Sequence, residues 1–259
     1  MTPNPILKVL FILKKYRVKC LLIGGQACII YGAAEFSRDS DFIILSTDKN
    51  LKCLQEALGA LNAKLIYVPP LEAGYLKRGH ACHFRCAAKD VEGLRIDVIS
   101  KLRGCETFNK LWERKKTVSL KSGRTIDVIG LKDLIQSKKT QRDKDWLMLK
   151  RLVENDIILN KYNPANDRVK WWFRECRDAG ILIKLAEEYS RIAKVCVRKR
   201  PLLSLAVISD IEKLNLQLHD EEMLERQKDI EYWTPLKKEL EILRSNYVKK
   251  GLRKSELSR

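Results

Sequence analysis

The sequence predicts a two-part protein: an α/β domain with a mixed sheet flanked by helices over residues 1–130, then an all-helical domain over 131–259. Three observations predict it. Short apolar runs, each stopped by glycine, proline or a polar turn, recur through the first half. Strand signals end at Gly130, and beyond it apolar residues recur at helical spacing.

Taken in order, residues 6–16 carry apolar side chains at helical spacing, and 18–23 is an apolar strand stopped by Gly24 and Gly25. A short helix follows over 26–31, then a second strand over 42–45 and an amphipathic helix over 51–61. Residues 65–68 read as a third strand, ended by Pro69 and Pro70. Residues 80–85 and 94–99 suit a hairpin turning at 90–93, and 117–120 with 125–129 suit another, turning at Ser122 and Gly123. Helical patterns then cover 131–137, 142–153, 169–177, 181–196, 202–214 and 221–247. The only internal echo is IDVI, at 96–99 and again at 126–129.

A chain of 259 residues, 45% apolar and 32% charged, can bury one sizeable core or two modest ones without disulfides. No stretch is apolar enough for long enough to cross a bilayer, and Lys8, Lys14 and Lys15 break up the apolar N-terminal segment, so the chain reads as cytoplasmic. Eight cysteines with no CxxC pair read as reduced core thiols. The unusual bulk property is charge: 51 Lys and Arg against 33 Asp and Glu leave +18, which favours a polyanionic partner.

Chemistry concentrates in one constellation. Gly24-Gly25 follows a strand, Asp39-Ser40-Asp41 opens the next, and Asp97 lies inside a later one. Glycines after a strand let backbone N–H groups approach phosphate oxygens. Residues two apart in a strand face the same way, so Asp39 and Asp41 project together. A third carboxylate from a neighbouring strand would complete a cluster suited to divalent cations.

The segments LLIGGQACIIYG, FSRDSDFIIL, HFRC, LRIDVIS and LKDLIQSKKTQRDKDWLML together resemble the nucleotidyltransferase superfamily, the DNA polymerase beta-like enzymes. The closer likeness is to its minimal, abortive-infection AbiE toxin-like branch. It covers roughly residues 6–155. The resemblance implies two Mg²⁺ ions, or Mn²⁺, held by Asp39, Asp41 and Asp97, with Asp97 also acting as base. It implies that Gly24, Gly25, Ser37 and Arg38 flank the phosphates of a nucleoside triphosphate. Lys138 would bind the triphosphate, with Arg142 and Asp145 as a pair near the site. A DSDxD register would instead place Ile43 at a metal position, but the apolar FIIL after Asp41 favours Asp39 and Asp41. Asp127 is the alternative third acid, because its IDVI strand echoes that of Asp97.

The group His80, Cys82, His83 and Cys86 resembles zinc ligands at first, but strand alternation splits it between two faces. Arg85 shares the face of His83 and is a candidate to look toward Asp97. Trp171-Trp172, the run VRKRP at 197–201 and the basic C-terminal tail have the mixed aromatic and basic character of an RNA-binding surface, although adjacent tryptophans on a helix cannot share one face and at least one reads as a core anchor. The expected reaction is therefore nucleotidyl transfer to a hydroxyl, an RNA or tRNA 3′ end by preference, with an antitoxin-like protein as a further expected partner and no membrane. Antibiotic-type small molecules and proteins are alternative acceptors, and a catalytically silent RNA- or partner-binding module is the rival from another class.

Overall fold

Leu21, Leu22 and Ile23 in β1 (Cys20–Ile23) and Phe42, Ile43 and Ile44 in β2 (Ser40–Ile44) are all buried, so these two short strands carry apolar side chains on both faces. Strands of that kind belong at the middle of a sheet covered on both sides. In a computed structural model describing residues 5–34, 36–37, 39–120 and 123–249, that is where they lie.

The remaining elements of the first half are α1 (Pro5–Lys15), α2 (Gly24–Ile30), α3 (Asp48–Ala60), β3 (Ala63–Leu65), α4 (Ala73–Arg78), β4 (Cys82–Cys86), β5 (Arg95–Ile99), α5 (Phe108–Glu113), β6 (Lys116–Ser119), β7 (Thr125–Val128) and α6 (Leu131–Ser137). Seven strands form one mixed sheet in the order β3-β4-β5-β2-β1-β7-β6. β2 runs parallel to β5 and β1 parallel to β7, and the other neighbouring pairs are antiparallel. Both expected hairpins are present as β4–β5 and β6–β7. The helical half contains α7 (Asp143–Asn160), α8 (Asn166–Glu175), α9 (Ala179–Glu188), α10 (Ser190–Val197), α11 (Leu203–Val207) and α12 (Ile211–Lys249). A mixed α/β sheet with helices, followed by a helical region, is thus the observed architecture.

Polar side chains inside this frame are bonded where they fix its corners. Asn50 is buried at the start of α3, takes the Lys19 amide on its Oδ1 at 2.7 Å and donates through Nδ2 to the carbonyls of Lys19 and Leu45. One side chain therefore ties the ends of β1 and β2 together, satisfying backbone groups that would otherwise cost free energy in the interior.

Several boundaries differ from expectation for local reasons. β2 begins at Ser40 rather than at 42, because Ser40 is small enough to be fully buried and Asp41 joins the ladder on both sides. α4 and α5, six residues each, are too short to show a periodicity. Residues 181–196 do not form one helix, since Tyr189 leaves helical geometry at φ −117°, ψ 46°. Residues 215–220, which are polar apart from Leu216 and Leu218, continue α12 instead of breaking it. α12 also carries Pro235 internally, whose missing N–H removes a helical hydrogen bond.

The chain forms two compact units. One comprises Met1–Ile30, Ala34–Ser137 and Tyr232–Arg259, the other Tyr31–Ala33 and Lys138–Glu231. The first unit's share of α12 is bound to α4 and the residues after it: Glu239 accepts from Arg78 at 2.6 Å and contacts His80 Nε2 at 2.7 Å. Among the described residues no helix is long and apolar enough to cross a membrane.

Candidate active site

Strand register brings the acids together. Asp41 in β2 stands opposite Ile23 of β1 on one side and opposite Asp97 of β5 on the other, and Asp97 stands opposite His83 of β4. Residues paired across neighbouring strands share a face, so Asp41, Asp97 and His83 form one row. Asp39 precedes Asp41 by two residues, is half-buried and interacts electrostatically with Arg95, which itself precedes Asp97 by two.

The Gly-Gly turn is fitted to this row. At Gly24, where φ is +66°, an added Cβ would come 1.9 Å from Asp41 Oδ2. A Cβ on Gly25 would come 2.5 Å from Ser37 Oγ. Backbone conformation and space both demand glycine at 24, and space demands it at 25. Ser37 accepts through its carbonyl from Gln26 Nε2 at 2.7 Å, which holds the loop before β2 against α2. Arg38 lies outside the described residues.

Asp97 has two basic neighbours that sequence reasoning did not assign to it. Arg95 Nε donates to Asp97 Oδ1 at 2.7 Å, and His83 Nδ1 lies 2.8 Å from the same oxygen. Burial works to raise the Asp97 pKa, but the bonds from His83 and Arg95 outweigh it and hold the carboxyl below the usual range. A carboxyl so held is ionised, as a cation ligand must be. The signal for both neighbours was available in HFRC and LRIDV, where His83 and Arg95 alternate onto the same face. Tyr67 completes the surroundings, edge-on to the His83 ring at 5.9 Å and beneath the Arg95 guanidinium. Arg85 is opposite Arg95 rather than Asp97.

Asp127, the alternative third acid, is in β7, three strands from β5 in the sheet order. It accepts from Thr117 Oγ1 at 2.7 Å and pairs with Lys115 at 2.9 Å.

Carboxylate oxygens are the hard donors that Mg²⁺ and Mn²⁺ take, and Asp39, Asp41 and Asp97 supply them on one face of β2 and β5. The close seat of Asp41 against Gly24 fixes one of these groups. By donor chemistry the residues fit divalent cations. As placed, however, the described side chains include no group of three or more His, Cys, Asp or Glu gathered to hold a metal ion.

Lys138, Arg142 and Asp145 belong to the second unit and form a cluster of their own. Lys138 is buried, and its Nζ donates to Asp145 Oδ1 at 2.7 Å. Thr140 Oγ1 and Arg142 Nε each donate to Asp145 Oδ2 at 2.7 Å. Burial tends to raise the Asp145 pKa, but the charges and bonds of Lys138, Arg142 and Thr140 prevail and lower it.

Two expectations about the second half are corrected. Trp171 and Trp172 are both buried, and Trp172 Nε1 donates to Asp156 Oδ2 at 2.8 Å, so neither offers a stacking surface. Within VRKRP, Arg200 is buried, donating to the carbonyls of Phe173 and Cys176 and to Glu221, so of its basic side chains Arg198 and Lys199 remain exposed. The tail from 250 onward lies outside the described residues. Cys82 and Cys86 face the core, where burial pushes their thiols up to about 12 and about 11, while His83 faces the other way.

No protein-family model matches the chain. No curated protein matches it. Two solved structures are similar to it over most of their length. One is a Helicobacter pylori protein described provisionally as a nucleotidyltransferase, with 15% identity and a TM-score of 0.36, covering 87% of this chain and 94% of that one. The other is JHP933 from Helicobacter pylori, with 14% identity and a TM-score of 0.34, covering 90% and 94%.

Proposed function

We propose that the chain is a nucleotidyltransferase of the DNA polymerase beta-like superfamily, transferring a nucleoside monophosphate from a triphosphate to an acceptor hydroxyl. The observation that carries this reading is the register of Asp41 with Asp97 beside the fitted Gly24, on the central strands of a mixed sheet.

Asp39, Asp41 and Asp97 would hold the divalent cations, whose charge would neutralise the triphosphate and acidify the acceptor hydroxyl. Gly24 and Gly25 leave room for phosphate oxygens to approach the backbone, and Ser37 closes that side. Arg95 and His83 keep Asp97 ionised and oriented. In the reaction the acceptor oxygen bonds to the α-phosphorus, the bond to the bridging oxygen of the β-phosphate breaks, and pyrophosphate leaves with that electron pair. The acceptor hydroxyl proton passes to solvent. An RNA or tRNA 3′ end is the proposed acceptor, supported by the net charge of +18. An antitoxin-like protein remains a proposed partner.

One observation favours a second reading. Asp97 Oδ1 is already bonded to Arg95 and lies 2.8 Å from His83 Nδ1, as it would in a catalytically silent domain whose basic side chains have replaced metals. Incubation of the protein with each α-labelled nucleoside triphosphate, Mg²⁺ or Mn²⁺, and total tRNA separates the two. Label in RNA, absent with Asp41→Asn, supports the enzyme. No label with any triphosphate or acceptor supports the silent domain.

A further inference from the structure

Beyond Asp97, the same sheet face carries a row of cations. Arg95 of β5 stands opposite Arg85 of β4, and Arg85 stands opposite Lys64 of β3, the strand at the sheet edge. Paired residues share a face, and Arg95 shares its face with Asp97 two residues on, so Lys64, Arg85 and Arg95 line up beside the row of acids. By strand spacing and rise, the Arg85 backbone lies about 8 Å from that of Asp97.

Like charges directly opposite one another repel. Arg95 is compensated by Asp97 and Asp39. Lys64 and Arg85 are exposed, and among the described residues neither has an ion-pair or hydrogen-bond partner. A lysine on an edge strand is a common defence against pairing with another sheet, which accounts for Lys64 alone. It does not account for Arg85, which lies on an interior strand facing two cations.

We propose that Lys64 and Arg85 form a phosphodiester-binding subsite for the acceptor strand. Gly24 and Gly25 lie on the β1 side of the carboxylates, and Lys64 and Arg85 on the β4–β3 side. The triphosphate and the acceptor thus approach the acids from opposite directions, with the phosphodiesters just upstream of the reacting hydroxyl on the two cations. The inference rests on the nucleotidyltransferase reading for the direction of approach. The binding it asserts can be measured without turnover.

The test is the anisotropy of a short, fluorescent, single-stranded oligoribonucleotide with a free 3′ hydroxyl, titrated with the full chain in EDTA across a range of salt. Lys64→Gln with Arg85→Gln is compared with Lys49→Gln with Lys52→Gln, which removes the same charge from α3. Loss of two phosphate contacts should weaken binding about tenfold or more and reduce the log–log salt slope by about 1.4, the single-strand value for two contacts. The α3 variant should leave the slope nearly unchanged, and both should melt like wild type. Equal effects of the two variants would overturn the subsite. So would a loss of nucleoside triphosphate binding, measured with Mg²⁺, while oligoribonucleotide binding stayed intact. Absence of transfer by the wild-type protein would sink the enzymatic reading and leave this result standing.

Discussion

A methyl group at position 24 would come 1.9 Å from Asp41 Oδ2, on backbone with φ +66°. Gly24→Ala is therefore expected to cost about 1–3 kcal/mol in strain and to displace the Asp41 carboxylate. Calorimetric or denaturant unfolding together with a Mn²⁺-binding isotherm checks both halves, and a stable variant with unaltered metal binding would refute them. Asp97→Ala and Asp127→Ala make an internal control, since both change an IDVI strand. The first should abolish transfer, and the second should only loosen the β6–β7 hairpin, where Asp127 holds Thr117 and Lys115. The acids were legible from sequence because strand alternation decides which side chains share a face. Arg95 could have been assigned to Asp97 by the same alternation, being two residues before it on one strand, whereas the pairing of His83 with Asp97 depends on the β4–β5 register, which neither segment fixes alone.

The joint between α6 and α7 sets a second class of expectation. Asp145 is fully buried and bonded to Lys138, Thr140 and Arg142. Lys138→Ala leaves that carboxylate without its buried partner and should cost about 3–5 kcal/mol in unfolding free energy. A triphosphate-binding role, by contrast, predicts a raised nucleotide KM with unchanged stability. The folded-state pKa of Asp145 is lowered, so its contribution to stability is complete above the unfolded value, about 3.9, and is lost as pH falls through the folded one. Stability measured from pH 6 downward should fall less steeply for Asp145→Asn than for wild type. Sequence could place Lys138 at a helix end but not say which way its ammonium turned, because the acid that captures it comes seven residues later, past the turn of residues 138–142. The same holds for Trp171 and Arg200, whose residue types suited a surface and whose packing makes them core. Arg200→Glu should accordingly impair folding, as seen by loss of a cooperative melt, whereas Arg198→Glu should not.

At the scale of the whole molecule the excess of positive charge is the one property visible in composition alone, at +18. It predicts association with polyanions that weakens steeply with salt, without saying where they bind. The fold class was equally legible, since buried strands, hairpins and the end of strand signals at Gly130 each leave a local trace. The division into units was less so, because the described residues from Tyr232 to Lys249 group with the sheet although they continue a helix of the other unit. The most direct test of the central claim is to supply one triphosphate labelled at its α-phosphorus or at its γ-phosphorus, with Mg²⁺ and an RNA bearing a free 3′ hydroxyl. Transfer through Asp39, Asp41 and Asp97 predicts α label in the RNA, γ label in released pyrophosphate, equal amounts of the two, and neither with Asp41→Asn. Label entering RNA from the γ-phosphorus, or equal α-label transfer by Asp41→Asn, would contradict it.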